Sequence, residues 1–463
     1  MSHELVVANG SVVTPQLGVF EADVASDDGV ISAIGHPGTL SGERVVDATG
    51  NYVLPGAIDP HTHHGIYRGL AADAKSESRS DLVGGVTTIG NYFRRGDAYG
   101  EVMEGYFAEA EPNYYHDYFF SLGLLSTAHL EEIPSIIEEL GITSFKWYKN
   151  YKDVAPEKFG TDSQMHDDWA DTFIQRLAAH ETPTTLGHHS ENMEITSARG
   201  DNPYLEAEVA DDQPYRGYET LVEQFPDYAE TQSMTASGSL ARQHGYGDSF
   251  YAVHISAGRT ADELAALQAA GWELTGETCT HYLALTTEEC DERHNVNPPV
   301  RSEADRERLW ERVADGTISC IGTDHCANMR EEKIGEDVPD SLPGFPSSAT
   351  MLPLILTLGV QANRISLERA VAVTATNTAR AFNLYPKKGT IQIGSDADLA
   401  VVDLETERTV TPSLLQGGPD YSPYEGWELV GWPTHTIVRG QLAYADGEVV
   451  GERGFGTHID RPI

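Results

Sequence analysis

Two imidazoles stand at spacing i, i+2 in the stretch "IDPHTHHG", residues 58–65: His61 and His63, with a carboxylate, Asp59, two residues before the first. On a strand, residues two apart point to the same face, so the pair could grip one ion. Four more chemically capable residues follow, each at or just past the end of a separate apolar run. Lys146 ends "GITSF", His189 follows "TPTTLGH", His254 sits in "FYAVHIS" and Asp324 ends "TISCIGT". Taken singly, each has a plainer reading. The HxH pair could be a solvated loop, His254 a satisfied core histidine and Asp324 a helix cap. Taken together, four imidazoles, a carboxylate and a lysine at successive strand ends fill a coordination sphere. Imidazole and carboxylate suit Zn, Mn, Fe or Ni better than Ca or Mg. An ammonium would repel such a cation. Lys146 therefore fits only if its amine has reacted with CO2, giving an anionic carbamate that bridges two metals. Burial near cations favours the neutral amine this needs. Two bridged metals about 3.5–4 Å apart can share a hydroxide that is nucleophilic near neutral pH.

A set of this kind needs a scaffold that brings many strand ends to one mouth. Between residues 56 and 385 short apolar runs alternate with helical patterns. "GVTTIGNYF", "DYFFSLGLL", "ITSFKWY", "TPTTLGHH", "SFYAVHIS", "WELTGETC" and "TISCIGTDH" read as strands. "LEEIPSIIEELG", "MHDDWADTFIQRLAAH", "TADELAALQAAG" and "SEADRERLWERVADG" read as helices. This rhythm predicts a parallel sheet, and its length suits a (β/α)8 TIM-type barrel, which takes about 250 residues or more and keeps its chemistry at the C-terminal strand ends. Residues 1–55 and 386–463 instead carry short strand patterns with Gly turns, too few at either end to close a sheet alone. They predict one small β-sandwich domain built from both chain ends. The polar stretch over about 190–249 reads as an elongated loop over the barrel mouth.

The 463-residue chain carries 72 acidic and 31 basic residues, a net charge of −41. Nucleic acid is excluded as a partner, since phosphate binding needs cationic surface. The acidity is dispersed, which suits a folded protein adapted to a salty cytoplasm, where salt screens self-repulsion. No apolar run is long enough to span a bilayer and no secretion signal opens the chain, so the expectation is a cytoplasmic protein without membrane contact. The four cysteines form no CxxC pair and are expected as reduced thiols. Against this acidic background, Lys146, Lys149 and Lys152 crowd into "SFKWYKNYK".

These residues resemble the amidohydrolase superfamily, in particular its cyclic-amide branch of hydantoinases and dihydropyrimidinases. "LPGAIDPHTH", "GITSFKWYKNY", "HHSEN", "YAVHIS", "GETCTHYL", "NPPVR", "GTDHC", "GSDADLAVVD" and "DYSPYEGWELVGWPTHTIVRG" carry the likeness over nearly the whole chain. The resemblance implies a binuclear zinc enzyme that opens a dihydropyrimidine or hydantoin ring to an N-carbamoyl amino acid. His61 and His63 would hold one metal with Asp324, His189 and His254 the other, and carbamylated Lys146 would bridge them. Asp324 would also shuttle the proton, Tyr151 would steady the oxyanion, and backbone groups near Asn297 and Asp340 would meet the ring's amide edge. The resemblance further implies a homo-oligomer, commonly a tetramer. Some motifs depart from the usual pattern. "KNY" replaces "MAY", and "HGIYRGLAAD" lacks the arginine placement by which dihydroorotases grip a carboxylate. His281 stands where some allantoinases have His, so allantoin is an alternative substrate. A non-catalytic scaffold is a further alternative, though such relatives lose metal ligands and all six candidates are present here.

Overall fold

The computed structural model describes residues 2–199 and 216–461. Eight parallel strands follow one another in chain order: Ala57–Thr62, Val86–Phe93, Asp117–Gly123, Ser144–Tyr148, Thr185–His189, Phe250–Ala252, Thr275–Cys279 and Ile318–Gly322. Strands in such a sheet are covered on both faces, which is why they read as unbroken apolar runs rather than alternating ones. Every residue of Val86–Phe93 and of Asp117–Gly123 is buried. The ring closes where the first strand meets the segment after the eighth. Thr62 bridges His325 in parallel, His63 N–H donates to the His325 carbonyl at 2.8 Å, and His325 N–H donates to the His61 carbonyl at 3.3 Å. The architecture is a (β/α)8 barrel.

Helices cover the outside. The helix Thr127–Leu140 shows the local logic. Ser126 caps its start by accepting from the His129 N–H, Gly141 ends it in the left-handed region at φ 62°, and Leu130, Ile133, Ile136 and Ile137 form the buried stripe. Elsewhere polar and small residues dilute the buried face. Leu70–Val83 buries Asp73, Glu77, Ser78, Ser80 and Asp81, and Asp227–Gln243 buries Ala229, Glu230, Ser233, Ser237 and Gly238. The second corrects the expected loop over 190–249. Its described part holds the helices Met193–Ser197, Tyr218–Gln224 and Asp227–Gln243, and residues 200–215 lie outside the described residues. Small and polar residues on the buried face erased the apolar period that would have marked a helix.

The second body is a nine-stranded mixed sheet drawn from both ends of the chain. Tyr52–Pro55 pairs antiparallel with Leu399–Val402, so the N-terminal and C-terminal strands share one ladder. Strand His3–Thr14 pairs along one edge first with Gly42–Asp47 and then with Tyr52–Pro55. It bends at Asn9–Gly10 to reach both, where a Cβ on Gly10 would sit 2.4 Å from Val53 Cγ2. The bend folds the sheet over a core of Leu5, Val7, Val12, Ile31 and Val53 with Leu399, Val401 and Ile437, a β-sandwich.

A buried cation ties the two bodies together. Lys388 Nζ lies 2.7 Å from Asp117, at the start of the third barrel strand, and 3.0 and 2.6 Å from Asp396 and Asp398, which lead into the sheet. The four cysteines are unpaired.

Candidate metal centre

The strand ends deliver the six candidates to one point. His61 ends the first strand with Thr62, and His63 follows it. The closing seam carries Asp324 to them: its Oδ1 lies 3.2 Å from His61 Nε2 and 3.0 Å from His63 Nε2. Lys146 sits in the fourth strand with Gly123 and Gly187 as its register partners on either side. Glycine on both flanks leaves room for the long side chain, whose Nζ donates to His61 Nε2 at 2.7 Å. His189 ends the fifth strand and His254 follows the sixth, with His254 Nε2 and His189 Nδ1 2.8 Å apart. The rings of His61 and His254 stack at 5.5 Å between centroids, joining the two halves. His188 alternates to the other face of its strand, packs on Trp147 and meets Ser190 at 2.8 Å. His64 stacks on Tyr114.

All six side chains are buried. Burial drives His61 and His254 well below the usual imidazole range and His63 to about 3. They are therefore neutral with lone pairs free, the state a ligand needs. Burial also draws the Lys146 amine down to about 8, against the pull of Asp324 and Glu277. Burial pushes the Asp324 carboxyl up, but His61 and His63 outweigh it and hold it well below the usual carboxylate range. His254 and Asp324 have positive φ, 41° and 52°. That conformation costs a non-glycine residue roughly 1–3 kcal/mol and survives where surrounding structure imposes it. One ligand atom each from His61, His63 and Asp324 lies within 4.8 Å of the others, so this trio could hold a metal ion.

Two carboxylates behind the trio escaped the sequence reading as site residues. Glu277, fully buried in the seventh strand, accepts from His61 Nδ1 at 2.8 Å, from the His254 N–H at 2.9 Å and from the Tyr251 hydroxyl at 2.9 Å. It thereby places the His61 proton on Nδ1 and leaves Nε2 facing the site. Asp59 accepts from the backbone N–H groups of His61 and Thr323, at 3.1 and 3.2 Å, and so pins both sides of the seam. "GETC" gave no hint, because nothing in a single acidic residue within a strand announces three donors.

A cavity of about 280 Å³ opens above the cluster. His63, Lys146, His189, His254 and Asp324 reach it, together with Tyr151 and Asn297. Tyr151 ends the short turn Lys149–Tyr151 directly after the lysine strand. Three further polar atoms with no hydrogen-bond partner among the described residues belong to its walls: Tyr148 Oη, Asn150 Oδ1 and Asn297 Oδ1. Tyr148, Asn150 and Arg94 were missed. Arg94 could have been found by the strand-end argument already applied, since it directly follows "VTTIGNYF". Asp340 is not among the lining residues. Its carboxylate accepts from Arg216 at 2.7 Å and its N–H donates to Asp337 at 3.2 Å, so both of these groups are engaged elsewhere, while Leu342, Pro343 and Gly344 reach the cavity instead. Arg68 faces Asp73 and Glu77 at 3.5 and 3.6 Å, and His281 packs on Tyr282 and Phe345. Neither lines the cavity.

Residues 188–443 match the family model described as the amidohydrolase family. The chain is 30% identical to a D-hydantoinase of Geobacillus stearothermophilus, with 98% of this chain and 96% of that one covered. Its fold superposes on the crystal structure of a D-hydantoinase from a Bacillus species with a TM-score of 0.88 at 29% identity, covering 99% of each chain. A dihydropyrimidinase from Brevibacillus agri gives 0.86 at 27% identity, with 98% of each chain covered.

Proposed function

Because the chain belongs to the amidohydrolase family, we propose that this enzyme hydrolyses the amide bond of a dihydropyrimidine- or hydantoin-type ring, releasing an N-carbamoyl amino acid. The observation that carries the reading is the convergence of His61, His63, Lys146, His189, His254 and Asp324, from five separate barrel strands, beneath a single cavity. These six would hold two divalent transition-metal ions, zinc by resemblance, with Lys146 contributing as a carbamate. Neutral imidazoles, an ionised carboxylate and an amine drawn toward neutrality form a donor set that fits such ions. Bound there, the ions supply Lewis acidity, activating water and polarising a carbonyl oxygen.

The chain's own groups do the rest. Asp324 reaches the cavity in its ionised form and can take the proton of the attacking water, then pass it to the departing ring nitrogen. From the cavity wall the Tyr151 hydroxyl would donate to the oxygen that gains charge, and Asn297 would meet the ring's amide edge. Asp340 acts through Arg216, holding the loop that presents Leu342–Gly344. His281, which favoured allantoin, stands outside the cavity lining and gives that substrate no support. The barrel domain spans 56–385 and the β domain 1–55 with 386–463. The dispersed −41 charge marks adaptation to a salty interior.

The test is metal analysis with a ring panel of dihydrouracil, hydantoin, allantoin, dihydroorotate and phthalimide. Two metals per chain and turnover of at least one ring are expected, and Lys146→Ala should lose both. A Lys146→Ala protein that keeps two metals and full turnover contradicts the bridging role, and a metal-free, inert wild type points to the scaffold.

A further inference from the structure

The walls of the cavity have the opposite charge sense to the rest of the molecule. In a chain with 72 acidic residues, Asp324 is the only carboxylate among the described residues that line it, whereas Arg94 and Lys158 both reach the opening. An adjoining cavity of about 260 Å³ shares Ile66, Tyr67, Arg94 and Lys158 with the first, adds Arg95, and has no acidic residue among the described residues of its lining. These cations come from two separate elements. Arg94 directly follows the second barrel strand, and Lys158 stands on the short helix Ala155–Phe159. The two segments are in close contact at Gly96, where a Cβ would lie 1.8 Å from the Phe159 carbonyl oxygen.

Arg94 is half-buried, yet among the described residues it forms no ion pair with any carboxylate. Its guanidinium hydrogen-bonds the Tyr151 side chain and lies 5.9 Å from the Tyr148 ring centroid and 5.7 Å from that of Tyr151, so neutral aromatic residues orient it instead. A surface arginine of an acidic protein finds carboxylates easily, as Arg216, Arg312 and Arg364 do here. An arginine kept from them at a cavity wall retains its planar fork for an incoming anion.

Resting on the cyclic-amide reading above, we infer that the substrate ring carries a carboxylate substituent, and that Arg94 is the specificity residue that receives it, with the Arg95–Lys158 chamber behind. An unsubstituted ring would leave that guanidinium without a counter-ion among the described residues. A free acid gains a charge-assisted, two-pronged contact that its carboxamide cannot make.

The experiment compares 5-(2-carboxyethyl)hydantoin with its carboxamide, each assayed for ring opening by the metal-loaded enzyme. The acid should have the higher kcat/KM by roughly ten- to a hundredfold, the scale of a charged hydrogen-bonded pair. In Arg94→Gln that ratio should fall toward one, with Arg94→Lys in between. Because the ratio is read within each protein, a partly folded variant does not distort it. An acid no better than its amide in the wild type overturns the inference, as does a preference that survives in Arg94→Gln. If neither ring opens, the hydrolase reading fails separately. Calorimetric binding of the two compounds then decides on Arg94: tighter binding of the acid, lost in Arg94→Gln, supports its role, and equal binding refutes it.

Discussion

Replacing Glu277 by Gln isolates the outer hold on the metal centre. The change keeps shape and volume in a fully buried position and removes one charge. Glu277 accepts three hydrogen bonds, from His61 Nδ1, the His254 N–H and the Tyr251 hydroxyl. In Gln, Oε1 can still accept from His61 and His254, and the amide nitrogen must face Tyr251, whose hydroxyl can turn to accept. The loss is therefore mainly the charge behind His61. A charged hydrogen bond contributes about 1.5–3 kcal/mol against about 1 for a neutral one, and loss of such a carboxylate–histidine partner typically lowers metal affinity about 10–100-fold. The assay is metal retention against a graded chelator, with a melting curve to show that the fold persists. The sign of the pH effect follows from burial, which pushes the Glu277 carboxyl up to about 7. Metal binding favours the ionised form, so wild-type affinity should weaken as pH falls through about 7, and the Gln variant should show less of this dependence. Identical chelator midpoints for the two proteins across that range would refute the argument.

Two predictions concern the frame. Lys388→Met should leave Asp117, Asp396 and Asp398 together in a buried site without their shared cation, at a cost of about 3–5 kcal/mol, and an unchanged melting temperature would dismiss the tie between the two bodies. Lowering salt from about 1 M to about 10 mM lengthens the screening distance from about 3 to about 30 Å, so a chain of net charge −41 should melt at a lower temperature. A flat melting curve across that range would sever the acidic surface from salt adaptation.

The barrel was legible because its strands are buried on both faces and stand out as apolar runs, and because helices such as Glu303–Asp315 carry an N-cap serine and a glycine stop. The six ligand candidates were legible for the same reason: each is a polar residue at the end of such a run. Asp227–Gln243 was not, since a face of Ala, Ser, Gly and Glu has no hydrophobic period. Nor was Glu277, whose importance lies in three donors contributed by residues 61, 251 and 254. Asp340 was named by motif position alone, and its own carboxylate and N–H are engaged away from the cavity. Only the fold reveals Arg216 and Asp337 competing for its carboxylate and its amide. Arg94 obeys the strand-end rule but was passed over, because an arginine beside imidazoles does not suggest a ligand.

The seam through residues 61–63 and 325 sets an order of events during synthesis. His61 and His63 leave the ribosome early, whereas Asp324 emerges roughly ten seconds or more later at ordinary elongation speeds. Until it does, the first strand has no partner on its outer side and the imidazole pair lacks its carboxylate. Loading of the proposed metal centre would therefore come only after Asp324 has emerged, late in the chain's biogenesis, with the barrel seam already free to close.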